Sequence, residues 1–309
     1  MNRTRTVACL AGAGVAPELM AEATLAMAAV GRLHGLTIDD LHPSFGASAV
    51  ARGGQAFPAA TRAVVLGSDA VLVAGAEDPA LAEVLAELDA RARVTRVRFG
   101  RTHDVAFVAP LESRAEEWSL EAAFRLAETR SLRLAAVGDG GWHDLADAVA
   151  REHEHVRVEH FSPRVAIPLA AFDAGRFDVV VMAEPWAEPI IEIAAAPASA
   201  RVAAHGLLAA HGPSLFMPSP EGGFALAGHG VVNPSSMLLA AAMTLEHGLD
   251  EQGAASTLAG AVSAALVDGP RTPDLLARGL GATTREFTSR VVSGFQLSFS
   301  NAEFWPGAA

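Results

Sequence analysis

Apolar and polar positions follow two recurring rhythms along this chain. Short unbroken apolar runs at Thr6–Leu10, Ala70–Ala74 and Val105–Val108 read as strands buried on both faces, which leave no polar side to show. Leu36–Leu41, Leu132–Val137, Val156–Phe161 and Phe177–Met182 complete the expected strands. Between them the apolar positions recur at helical spacing. Helices are expected at Pro17–Leu33, Phe57–Leu66, Asp78–Ala92, Ser119–Thr129, Trp142–His153, Ser235–His247, Glu251–Leu266 and Thr283–Phe295. Pro17 and Glu18 suit a first helical turn, where a missing N–H costs nothing and the helix dipole favours an acid. Strands alternating with helices predict an α/β architecture with mostly parallel pairing. The segments FSPRVAIPL (Phe161–Leu169) and AEPWAEP (Ala183–Pro189) carry prolines and Trp186, and read as rigid loops with apolar walls.

Composition narrows the chemistry. The 309 residues suit one large domain or two intimate ones, and with 51% hydrophobic residues a full core is available. A formal charge of -12 argues against nonspecific nucleic-acid binding, which needs a basic face. No apolar run approaches the roughly 20 residues of a membrane span, so a cytoplasmic protein without a membrane partner is expected. The single cysteine, Cys9, lies in the apolar run VACLAG and reads as a buried thiol. All 23 basic residues are arginine, and tyrosine is absent. The chain therefore supplies neither a Schiff-base amine nor a phenolic proton donor, and arginine does not give up its proton.

Three motifs invite a functional reading. The turn GAGVAPE (Gly12–Glu18) follows a strand and opens a helix, but Pro17 stands where a dinucleotide loop has its third glycine, so it reads as a tight structural turn. REHEHVRVEH (Arg151–His160) offers His153, His155 and His160 either as a zinc arrangement or as a solvated charged surface, the bland reading being favoured. Glu184, Glu188 and Glu192 recur every four residues. They are either carboxylates for Mg²⁺ or Mn²⁺ or an acidic helix N-terminus.

In their order, the blocks GAGVAPE, FGASAVARGGQAFP (Phe45–Pro58), SDAVLVAGAEDP (Ser68–Pro79), FDVVVMAEPWAEPIIE (Phe177–Glu192), AGHGVVNP (Ala227–Pro234) and DGPRTPDL (Asp268–Leu275) resemble the isocitrate/isopropylmalate dehydrogenase family, most of all its isopropylmalate dehydrogenase branch. The resemblance spans essentially the whole chain. It implies an isopropylmalate dehydrogenase-like two-domain α/β fold with a central cleft. One domain would join 1–99 and 200–309, and the other, 100–199, would carry the helices of a homodimer. Members of that family oxidise and decarboxylate a 2-hydroxy acid with NAD, using a lysine, a tyrosine and Mg²⁺ or Mn²⁺ on aspartates. Position by position, this sequence departs from that set. Asp139 stands for the lysine, Ala109 for a substrate arginine, and Pro163 for the aspartate a partner donates to the metal. The arm bearing the tyrosine is missing between Leu111 and Ser119. Glu188 and Glu192 align with the two remaining metal aspartates. Pro220 and Ala225 replace the adenine-side histidine and the ribose aspartate, while Asn233 is retained.

The expectation is a protein that uses no nicotinamide cofactor and binds a small, partly apolar molecule. Ala109, Pro163, Pro185, Trp186 and Pro189 would line its cleft. Asp139, Glu188 and Glu192 are the acid/base candidates for a non-redox step of a biosynthetic pathway, such as isomerisation, elimination or cyclisation. Glu188 and Glu192 are also the candidate ligands for Mg²⁺ or Mn²⁺. Two alternatives stay open: a non-catalytic partner or regulatory subunit of a true dehydrogenase, and an active, remodelled dehydrogenase.

Overall fold

The computed structural model of the chain describes residues 3–75, 78–99, 103–112, 115–196, 202–219, 224–276 and 281–304. It divides into two units, Met1–Leu88 with His211–Ala309, and Asp89–Ala210.

In the first unit, β1 (Arg3–Ala11), β2 (Leu36–Leu41) and β3 (Ala70–Ala74) pair in parallel with β1 central, and a later strand, Ser214–Pro218, pairs in parallel beyond β3. All of β3 is buried, as its unbroken apolar run requires. Helices α1 (Ala16–Leu33), α2 (Gly46–Ala51), α3 (Ala59–Gly67) and α4 (Leu81–Glu87) follow these strands. Three more helices, Ser235–Met243, Gln252–Asp268 and Thr284–Phe304, pack against α1 and one another.

The second unit begins with an antiparallel pair, β4 (Ala90–Phe99) and β5 (His103–Pro110). Then come α5 (Glu116–Glu128), β6 (Arg133–Val137), α6 (Gly140–Ala150), β7 (Arg157–Phe161), α7 (Pro163–Phe172), β8 (Val179–Met182), α8 (Ala187–Ala195) and β9 (Val202–Ala209). In chain order the remaining strand and helices of the first unit become β10 and α9 to α11. The second unit's strands lie in the order β9-β4-β5-β8-β6-β7. Pairing is antiparallel across β9, β4 and β5 and parallel across β5, β8, β6 and β7. Phe107, Val137 and Met182 of this sheet bury themselves against Ala166 of α7 and Ile190 of α8.

The structure corrects the sequence reading at several elements. The helix expected over Asp78–Ala92 ends at Glu87, and its last residues enter β4. In RARVTRVRF the side chains step from face to face at strand period, and both faces are covered: Val94 and Arg96 are buried on one, Thr95 and Val97 on the other. Its arginines are tolerated because carboxylates meet them. Arg96 Nε donates to Asp104 Oδ1 at 2.8 Å, and Arg91 Nη2 lies 2.6 Å from Asp89 Oδ1. Burial works to raise the Asp104 carboxyl, but Arg96, Arg98 and Arg130 overcome it and hold the group well below the usual carboxylate range. FSPRVAIPL, read as loop, is largely α7, with Pro163 at the start of the helix. Strands β9 and β10 were not foreseen. No helix among the described residues is long and apolar enough to cross a membrane.

Candidate functional site

Parallel register gathers the candidate residues of the second unit at one edge of its sheet. Val108 of β5 pairs with Val181 of β8, and Val137 of β6 pairs with both Met182 of β8 and Phe161 of β7. The chain leaves all four strands within a few residues of this line, which places Ala109, Asp139, Pro163, Pro185 and Trp186 at the carboxyl ends. Ligand sites of open α/β sheets lie at that end.

At this edge β4 contributes a residue the sequence reading passed over. Arg93 is the register partner of the buried Ala109. Its Nη2 lies 2.9 Å from Glu188 Oε2 in the first turn of α8. Glu188 thus meets a guanidinium from the strand beside Ala109. One row deeper, Thr95 pairs with His205 of β9, and Thr95 Oγ1 is 2.9 Å from His205 Nδ1. Burial, then the charge of Arg93, push the His205 imidazole down to about 4 against the opposing pull of Glu188. His205 is therefore neutral at physiological pH. The β-branched Val94, Thr95 and Val97 of RARVTRVRF were the available signal for β4, and so for Arg93 and Thr95. Nothing local marks His205, which lies 110 residues from Thr95 in sequence.

Asp139 caps α6: its Oδ1 accepts from Trp142 N at 3.2 Å. Trp142 is buried, and a Cβ on Gly138 would lie 2.5 Å from its ring, so glycine leaves the indole its place. Pro163 occupies the first turn of α7, and Pro185 follows a cis peptide after Glu184. Trp186 stays 39% exposed at the start of α8, two residues before Glu188. Pro189 is exposed in the first turn of α8.

Glu188 and Glu192 share one side of α8, and both are exposed. Glu188 is already engaged by Arg93, and Pro163 brings no carboxylate. No group of three or more His, Cys, Asp or Glu among the described residues could hold a metal ion. A cation at α8 would have to compete with the Arg93 guanidinium for Glu188 and draw most of its shell from water, which makes this pair a poor site. Mn²⁺ titration followed by electron paramagnetic resonance is expected to show only weak binding, unchanged in Glu188→Gln/Glu192→Gln. Micromolar binding that this double variant loses would establish a metal site.

The histidines of REHEHVRVEH do not converge. His153 is clamped between Glu128 Oε1 (2.7 Å) and Glu121 Oε2 (3.0 Å), His155 is exposed, and His160 Nε2 meets Asp147 at 2.8 Å.

In the first unit, Gly12 N donates to Ala74 O at 3.0 Å, and Glu18 accepts from Gly228 N and Gly230 N, so GAGVAPE and AGHGVVNP brace each other. Asn233 uses both ends of its side chain internally. Oδ1 accepts from Ser235 N at 2.8 Å, and Nδ2 donates to Thr272 Oγ1 at 2.9 Å. Ala225 lies in an exposed turn, and Pro220 falls outside the described residues.

Comparison with known proteins places the chain. The sequence model of the family described as "Isocitrate/isopropylmalate dehydrogenase" matches residues 137–291, half of the chain. The chain belongs to the isocitrate/isopropylmalate dehydrogenase family. Among its relatives, the 3-isopropylmalate dehydrogenase of Prochlorococcus marinus is 27% identical, over 90% of this chain and 95% of its own length. That of Bacillus cereus is 28% identical, over 93% and 96%. The crystal structure of a beta-decarboxylating dehydrogenase from Thermococcus kodakarensis, in its apo form, superposes with a TM-score of 0.82 at 21% identity, covering 97% of this chain and 99% of that one. An isocitrate dehydrogenase from Methylococcus capsulatus gives 0.75 at 18%, covering 94% and 99%. These likenesses establish the α/β fold of the family for this member.

Proposed function

We propose that this family member has left hydride transfer. It would bind a small, partly apolar metabolite at the carboxyl edge of the second unit and carry it through a non-redox step. The observation that supports this reading most is the use made of position 139. The side chain aligned with the family's lysine is an aspartate that closes a helix turn. Arg93 supports it as well. A dicarboxylate would have to compete with Glu188 for that guanidinium. Trp186, Pro185 and Pro163 offer apolar contact instead, on the order of 25 cal/mol per Å² buried. Glu188 and Glu192 are the carboxylates placed to move a proton, and Asp139 is a third only if it can leave its cap.

Fluorescence quenching with a panel of dicarboxylates and larger apolar carboxylates tests the reading. 3-Isopropylmalate is expected to bind poorly and an apolar ligand to saturate. Trp186→Ala should weaken that ligand by about 1 kcal/mol or more. Tight 3-isopropylmalate binding, indifferent to Trp186→Ala, would reinstate the older preference. Titration with NAD and NADP is expected to give no micromolar binding.

The same reading includes a homodimer through α7 and α8. The outer side of α7 leaves Phe172 90% and Val165 48% exposed, which a second copy would cover. Light scattering at low micromolar concentration should report a dimer that Phe172→Glu dissociates. A strict monomer would remove this part of the proposal.

A further inference from the structure

The opposite, amino end of the same strands carries a concentration of guanidinium groups that the ligand edge does not use and that outnumber the carboxylates paired with them. Arg133 opens β6 and Arg157 opens β7, and the two are direct register partners. Like charges placed opposite each other across parallel or antiparallel neighbours oppose pairing. A third arginine, Arg176, stands just before β8 and lines the same solvent-open notch.

The carboxylates nearby do not balance them. Glu159 is shared, with Oε1 3.3 Å from Arg157 Nη2 and Oε2 3.2 Å from Arg176 Nη2. Arg133 Nη2 donates to the Arg176 carbonyl at 3.1 Å and meets no carboxylate among the described residues. Asp178, also on the notch, is taken by Arg130 Nε at 2.6 Å and by Ser131 N at 3.0 Å. Three guanidiniums therefore have one carboxylate, Glu159, between them, in a chain whose formal charge is -12. The floor is apolar and ordered. Phe161 and Phe177 meet edge to face at 5.7 Å, and the Arg176 guanidinium lies 5.8 Å above the Phe161 ring. Stacking on Phe161 and the bond from Nη2 to Glu159 Oε2 hold this fork in place at the notch.

We infer that this notch binds a phosphate-type oxyanion, as free phosphate or as the phosphate of a small ester. Planar guanidinium forks match such an anion in charge and geometry. The anion would relieve the Arg133–Arg157 repulsion. The site is independent of the proposed ligand edge, so either can fail without the other.

Inorganic phosphate and adenosine monophosphate are titrated into the full-length protein at constant ionic strength, by calorimetry and by thermal unfolding, with sodium chloride as the reference. Saturable binding is expected from at least one of the two, with a rise in the unfolding midpoint that chloride does not give. Equal affinity assigns recognition to the oxyanion alone, and tighter binding of the ester assigns it to the phosphate with its apolar neighbour. Arg157→Gln/Arg176→Gln, with an unchanged circular dichroism spectrum, should bind at least about tenfold more weakly. Arg151→Gln, at an exposed arginine that does not line the notch, should bind as the wild type does. A response matched by chloride, or retained in the double variant, overturns the inference.

Discussion

Asp104→Asn is expected to lower the unfolding free energy by about 3–5 kcal/mol, the range for removing one charge from a buried ionic cluster. The side chain is 15% exposed and lies among Arg96, Arg98 and Arg130, themselves 8%, 10% and 13% exposed. Asparagine keeps the size and loses the charge, so three guanidiniums would remain in a site that solvates them poorly. The effect reaches the ligand edge because Asp104 fastens the β4–β5 pair, and that pair carries Arg93 and Ala109. The pH dependence has a definite sign. The folded carboxyl lies below its ordinary value of 3.8. Its contribution is therefore full above that value and is lost as pH falls through it toward the folded value. Urea denaturation from pH 7 down to strong acid should show the wild type losing stability below about pH 4, with a flatter acid limb in Asp104→Asn. A loss under about 1 kcal/mol at neutral pH would mean that water, not Asp104, satisfies these arginines.

The same cluster explains which elements could be read from the sequence. The strands β1 and β3 announce themselves because burial on both faces demands an unbroken apolar run, whatever lies around them. β4 hides because its arginines look like the polar face of a helix until Asp104 is brought opposite Arg98 and within reach of Arg96. α7 hides because Pro163 and Pro168 suggest a loop. A proline at the helix start costs nothing, and the interior Pro168 is carried by packing that the sequence does not display, with Ala166 and Ala170 fully buried.

The candidate site divides along the same line. Ala109, Asp139 and Pro163 were singled out by the family resemblance and Trp186 by its proline-rich segment; each follows an expected strand, so parallel register brings their positions to one edge. The Arg93–Glu188 pair and the Thr95–His205 bond depend on antiparallel neighbours whose strands had not been foreseen. The role of Asp139 changed most in passing from sequence to structure. A carboxylate in an aligned catalytic position reads as chemistry, and only the backbone of α6 shows it working as a cap.

Supplied with NAD or NADP, Mg²⁺ or Mn²⁺ and 3-isopropylmalate, the protein is expected to form reduced cofactor at least about 10⁴-fold more slowly than a competent family member assayed beside it. A positioned acid or base contributes roughly 10²–10⁴-fold to rate, and the resemblance assigns two such groups, a lysine and a tyrosine. The chain contains no tyrosine, and position 139 holds an aspartate hydrogen-bonded to Trp142 N. Arginine cannot replace either group near neutral pH. Asp139→Lys alone should not restore turnover, since it adds one group, leaves the phenol missing and removes the α6 cap. Loss of that cap should itself lower stability by about 1 kcal/mol. Asp139→Ala gives the matching control, with the cap lost and no amine gained. Turnover within about tenfold of the competent relative would sink the non-redox reading. If Asp139→Ala then abolished that turnover without unfolding the protein, Asp139 would be a catalytic residue, and its cap would be a resting position that it leaves when substrate binds.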